Sequence, residues 1–153
     1  MPTVYLALGA NLGDRGQNLA EAIGWLGQVI AITQVSPIYE TAPWGVLDQP
    51  DFLNQVIAGS TDLTPFALLA ATQATEQAMG RQPHGPRYGP RLIDIDMLFY
   101  GALTFASYAL TLPHPRLVER SFVLQPLADI APDLVHPGLG CTVATLWARV
   151  RGR

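Results

Sequence analysis

The chain has 153 residues, 49% hydrophobic and only 14% charged, which supplies apolar surface for one compact domain over residues 1–153. Its net charge of -3 argues against a broad basic face for nucleic acid, and its one cysteine, Cys141, excludes an internal disulfide or a cysteine-built zinc site. All nine basic residues are arginines, so a P-loop or a Schiff-base lysine is excluded as well.

Met1 to Thr3 carries no basic stretch, and the apolar run from Val4 to Leu8 is too short for a signal segment or a membrane span. The expected setting is cytoplasmic, with no membrane partner. Residues 3–8 read as a short buried strand, and the GANLGD stretch from Gly9 to Asp14 supplies a turn and a helix cap. Leu19, Ala22, Ile23 and Leu26 then recur at helical spacing within 15–28.

Residues 29–39 mix β-branched side chains in rough alternation and predict one second strand, followed by a loop over 40–50. Residues 52–60 predict a third strand. Thr64 and Pro65 open a helix whose buried face draws on Phe66, Leu68, Leu69, Thr72 and Met79, and Gly80 is its expected stop. Residues 80–91 hold three glycines and three prolines, which exclude regular structure and predict a long surface loop.

A strand over 92–100 follows, then an apolar segment to Leu112, a Pro113-His114-Pro115 break, a short helix near 121–128 and a terminal helix near 143–150. The order β-α-β-β-α-β in the first hundred residues predicts an α/β (α+β) fold, a ferredoxin-like sandwich of mainly antiparallel sheet with helices on one face. Such a fold does not define a chemistry.

In the IDIDM run from Ile93 to Met97, acidic and apolar residues alternate, so Asp94 and Asp96 share one sheet face while the isoleucines enter the core. At about 3.3 Å rise per residue the two lie roughly 6 to 7 Å apart along the backbone, a spacing that suits two magnesium ions bridging phosphates. In isolation such a pair is ordinary decoration of a solvated strand face. Its neighbours point elsewhere: Arg81, Arg87 and Arg91 lie in the acid-free stretch just before it, and arginine grips phosphate oxygens bidentately.

Tyr88, between two of those arginines, either stacks on a base or packs. His114, held between two prolines, could donate to a phosphate, with Arg120 six residues on. Glu76, near the end of its helix, reads by position as a surface charge. Phe52, Asn54 and Phe122 could line a flat pocket, two aromatics around a planar heterocycle with an amide reading its edge, although each alone is also an ordinary core residue. The Gly9 to Gly13 stretch lacks a full phosphate-loop pattern and reads as a turn.

Together, the GANLG stretch at 9–13, DQPDFLN at 48–54, YGPRLIDID at 88–96, and LPHP at 112–115 with RSFVL at 120–124 resemble the 6-hydroxymethyl-7,8-dihydropterin pyrophosphokinase family across nearly the whole chain. The resemblance implies a ferredoxin-like fold and a reaction in which the pterin hydroxyl attacks the β-phosphorus of ATP and AMP leaves. It further implies that Asp94 and Asp96 bind two magnesium ions, with Asp94 close to the pterin hydroxyl. Phe52 and Phe122 would sandwich the pterin, Asn54 would read its edge, and Thr41, Pro43 and Gly45 would add loop contacts.

Gln73, Glu76, Arg81, Tyr88, Arg91, Thr111, His114 and Arg120 fall where the family contacts ATP, with Arg81 and Arg91 on or beside a mobile catalytic loop. The implied partners are the small molecules ATP and hydroxymethyldihydropterin, with no nucleic acid and no obligate protein. Three positions depart from the family pattern: Pro83 stands where some members carry a second loop arginine, Tyr88 where tryptophan is usual, and Pro115 where some have tyrosine. Arg87 is a candidate substitute for the missing arginine. A magnesium-dependent nucleotide hydrolase and a noncatalytic ligand-sensing domain remain as other readings; the first has no need of an acceptor pocket, the second none of a carboxylate pair beside arginines.

Overall fold

The structure, a computed structural model, describes residues 1–43, 48–80 and 92–151. Strand β1 (Thr3–Ala10) leads to helix α1 (Arg15–Leu26), then β2 (Ala31–Val35), β3 (Tyr39–Thr41), β4 (Phe52–Ser60), α2 (Pro65–Ala78) and β5 (Asp94–Tyr100). A small hairpin of β6 (Phe105–Ala106) and β7 (Thr111–Leu112), a 3-10 turn at Leu117–Glu119, and helices α3 (Ser121–Ile130) and α4 (Val143–Val150) complete it. The main sheet runs β2-β4-β1-β5 with β3 also on β4, and every pairing is antiparallel. That is the ferredoxin-like order expected from the sequence.

The helix starts follow from their caps. The Asp14 carboxylate accepts from the Gln17 N–H, the Thr64 hydroxyl from Ala67 just before Pro65, and the Thr142 hydroxyl from Thr145, each satisfying an amide that the first turn leaves without a helical partner. Gly80 stops α2 as expected, at φ +92°, a left-handed conformation that favours glycine.

Alternation along β1 builds two cores. Val4, Leu6, Leu8 and Ala10 are buried against Leu19, Ala22 and Leu26 of α1 and Leu68 of α2. On the opposite face Tyr5 and Ala7 join Val56, Leu98 and Phe99 beneath Val123, Leu124 and Leu127 of α3 and Val143, Leu146 and Val150 of α4. Each large side chain so buried contributes about 1.5–3 kcal/mol. The sheet is therefore covered by helices on both faces, not on one: α3 and α4 fold back as a second helical layer.

Two further expectations are corrected. The single strand over 29–39 is two strands, β2 and β3, because Pro37 has no N–H to give the ladder. Ser36 bridges the gap, exchanging backbone and side-chain hydrogen bonds with Val56, and the expected loop over 40–50 loses Glu40 and Thr41 to β3. Phe66 is 49% exposed and rests edge-on against Phe105 of the hairpin, so α2 buries Leu68, Thr72, Thr75 and Glu76 instead.

Candidate active site

Antiparallel register puts directly opposed residues on one face of a sheet. Across β4, β1 and β5 this aligns Asn54, Gly9 and Asp94 in one row and Val56, Ala7 and Asp96 in the next. Between amide and carboxylates the floor is glycine and alanine. A Cβ at Gly9 would lie 3.4 Å from the Asn54 Oδ1 and 3.5 Å from the Phe52 ring, so the missing side chain leaves a shallow gap bounded by those two residues.

The Asn54 amide is buried and fixed in orientation. Its Nδ2 donates to the Thr41 hydroxyl at 2.6 Å, which leaves Oδ1 over Gly9 as an acceptor. Phe52 and Thr41 are paired across β4 and β3 one step further out, both half-buried. Phe122, in the first turn of α3, is half-buried under the Arg120 guanidinium, whose carbon lies 5.7 Å from the ring centre. Arg120 Nη1 is also 3.7 Å from Asp96 Oδ2, so one guanidinium links the aromatic to the acidic pair.

Asp94 and Asp96 are half-buried while Ile93, Ile95 and Met97 point into the core, the alternation read from sequence. The N–H of Ile95, between the two aspartates, donates to the Glu76 carboxylate at 2.9 Å. Glu76 is therefore not a surface charge; it is buried at 6% exposure and ties α2 to the outer edge of β5. Periodicity hid this, because a helical glutamate looks the same whether its neighbour is water or a strand edge.

His114 meets that same edge further along, its N–H donating to the Leu98 carbonyl at 3.0 Å. Its Nδ1 accepts from the Arg116 N–H at 3.2 Å, which leaves Nε2 to carry the ring proton. Burial, reinforced by the Arg120 charge and opposed by Asp94, lowers its pKa from 6.5 to about 4. At neutral pH His114 is a neutral hydrogen-bond donor.

Gln73 is exposed on α2, and Thr111 is half-buried on β7 with its hydroxyl on the Ser107 carbonyl. Pro43 is half-buried just after β3. Gly45, Arg81, Pro83, Arg87, Tyr88 and Arg91 lie outside the described residues. Among the described residues no three of His, Cys, Asp and Glu gather as a metal cluster.

Sequence reasoning missed two contributors. Gly9 looks from sequence like a turn glycine, and only strand register places it between Asn54 and Asp94. Asn11, read as part of the same turn, is 1% exposed and donates to Gln49 Oε1 and the Pro50 carbonyl at 2.8 and 3.0 Å.

Comparison with known proteins gives the family. The family described as 7,8-dihydro-6-hydroxymethylpterin-pyrophosphokinase (HPPK) matches residues 5–132. The chain belongs to that family. It is 46% identical over 140 residues to 2-amino-4-hydroxy-6-hydroxymethyldihydropteridine pyrophosphokinase of Methylorubrum extorquens, covering 90% of this chain and 88% of the relative. The Bacillus subtilis protein of the same name is 45% identical over 132 residues, covering 85% and 78%.

The mitochondrial folate synthesis bifunctional protein of Arabidopsis thaliana is 48% identical over 163 residues, covering 97% of this chain and 29% of the relative. The chain thus spans less than a third of the length of such bifunctional relatives. Plasmodium falciparum HPPK-DHPS, solved with pteroate, has the same fold at a TM-score of 0.76 and 17% identity, over 97% of this chain and 42% of that one. No helix among the described residues is long and apolar enough to cross a membrane.

Proposed function

We propose that residues 1–153 act as one catalytic domain that transfers the pyrophosphoryl group of ATP to 6-hydroxymethyl-7,8-dihydropterin. The products are the pterin diphosphate and AMP, on the way to folate. The observation that carries this reading is the row Asn54, Gly9 and Asp94, which sets an edge-reading amide and a carboxylate on either side of a floor without side chains.

In this reading the pterin lies between Phe52 and Phe122, with Asn54 Oδ1 accepting from its edge and Thr41, Pro43 and Gly45 closing that side. Its hydroxyl then points toward Asp94, the group placed to accept the proton as oxygen attacks the β-phosphorus and the bond to the α-phosphate breaks. Gln73, Glu76, Arg81, Tyr88, Arg91 and Thr111 make up the ATP side. His114 donates its Nε2 proton to a phosphate oxygen, and Arg120 holds both Asp96 and phosphate charge.

Magnesium fits the donor set. Two half-buried carboxylates on one strand face suit hard cations that keep waters and take their remaining ligands from phosphates. Two ions held by Asp94 and Asp96 would neutralise phosphate charge and ease loss of the hydroxyl proton. Isothermal titration of Mg2+ into the protein with a nonhydrolysable ATP analogue tests that count.

The decisive assay mixes protein, ATP, magnesium and hydroxymethyldihydropterin and follows AMP and pterin diphosphate. Equal amounts of both, absent without pterin and lost in Asp96→Ala, are expected. AMP formed without pterin would mean a hydrolase, and ATP bound without turnover a sensing domain. The cytoplasmic setting belongs to the same proposal, and cell fractionation decides it against the organelle named for the mitochondrial relatives.

A further inference from the structure

Strand β3 is only three residues long, yet its pairing with β4 sets the side of the pocket that holds Thr41, Phe52 and Asn54. A three-residue edge strand makes few ladder bonds and frays unless its side chains are held. Its alternation sends neighbouring side chains to opposite faces, and each is anchored in a different helical layer. Tyr39 hydrogen-bonds Asp129 of α3, the helix that also carries Phe122. Glu40 pairs with Arg15 at the start of α1, Nη1 to Oε2 at 2.7 Å.

The same Arg15 nitrogen donates to the Asp51 carbonyl at 2.9 Å, one residue before β4 begins. One cation therefore bridges β3 and the entry to β4 beside the Thr41 to Phe52 pair. Asn11 extends the grip to Gln49 and Pro50. Asn11 lies in the β1–α1 connection and Arg15 opens α1, so the grip on β3 and the entry to β4 comes from the end of β1 remote from Thr3.

We infer that Arg15 is a positioning residue for the pterin pocket: it fixes the spacing of β3 and β4, and hence of Thr41 and Asn54 against Phe52, with Tyr39 as its counterpart on the other face. This rests on the proposed reaction, because the pocket is assigned to pterin there. Exposed ion pairs add little to global stability, so their removal should act locally.

The test is a set of variants, Arg15→Ala, Arg15→Lys and Tyr39→Phe, assayed at saturating ATP and at saturating pterin in turn. Arg15→Ala should raise the pterin KM about threefold to tenfold with the ATP KM unchanged and a melting midpoint within about 2 °C of wild type. Arg15→Lys should recover most of the loss, since one nitrogen makes both contacts. Tyr39→Phe should raise the same constant, and the double variant with Arg15→Ala should raise it further.

An unchanged pterin KM, or equal rises for pterin and ATP, overturns the inference while leaving the reaction intact. A wild type that makes no pterin diphosphate overturns the reaction instead. In that event amide hydrogen exchange at residues 39–41 and 52–54 still decides the brace: faster exchange in Arg15→Ala supports it, unaltered exchange ends it.

Discussion

The strands β1, β4 and β5 build two unlike regions a few residues apart. At one end Tyr5 and Ala58 stand in register with Phe99, and Phe99 is sealed at 1% exposure with its ring edge-on to Tyr5 and His136. At the other end the same three strands present Asn54, Gly9 and Asp94, with half-buried carboxylates and a glycine between them. Backbone pairing is antiparallel in both, although the β1–β5 register shifts between Tyr5 and Leu6. What differs is side-chain size and the second helical layer: α3 and α4 pack over the large residues, and the first turn of α3 carries Phe122 near the polar ones. A sealed apolar end and an open polar end are thereby separated along a single ladder.

Substitutions at the two ends should separate those properties. The largest effect is expected from Phe99→Ala, which empties a sealed site and should cost about 3–5 kcal/mol, lowering the melting midpoint by roughly 10 °C while turnover per folded molecule persists. A comparable loss of turnover without loss of stability would break the comparison. Asp96→Ala is the converse: pterin diphosphate formation should fall about 100-fold or more with the melting midpoint little changed. Calorimetry and the coupled product assay on the same preparation read both.

Gly9→Ala sharpens the comparison at the floor itself. The added methyl meets Asn54 and Phe52 at ordinary contact distances, so the fold should tolerate it. The pterin KM should rise about tenfold while the ATP KM holds, as titrations of each substrate will show. The smallest effect concerns His114. Its folded pKa of about 4 lies below the ordinary 6.5, so the unfolded chain binds the extra proton and stability declines as pH falls from 6.5 toward 4. Above 6.5 that contribution is complete. Melting midpoints across this range should decline less steeply in His114→Gln than in wild type.

Local signals made much of this legible. Alternation in β1 and β5, the Thr64-Pro65 helix start, the Gly80 stop, β4 over 52–60 and α4 over 143–150 all follow from nearest-neighbour rules. Asp94 and Asp96 were visible as a pair because alternation sends them to one face. Other features depend on residues distant in sequence. Glu76 is buried because β5 lies against its helix, Phe66 is half-exposed where it rests edge-on against the small hairpin, and Ser36 finds Val56 of β4 as its partner across the break at Pro37.

By itself the sequence determined the main helices and strands, apart from the β2–β3 break and the β6–β7 hairpin, and the antiparallel ferredoxin-like arrangement, since these rest on periodicity and caps. Tertiary structure alone decided which strand residues share a row, and therefore that Gly9 lies between Asn54 and Asp94. It also decided that Arg15 reaches both Glu40 and Asp51, and that His114 is neutral. The reason is physical: register, burial and charge pairing are set by contacts between segments far apart in the chain, and nothing in the residues on either side of a position specifies them.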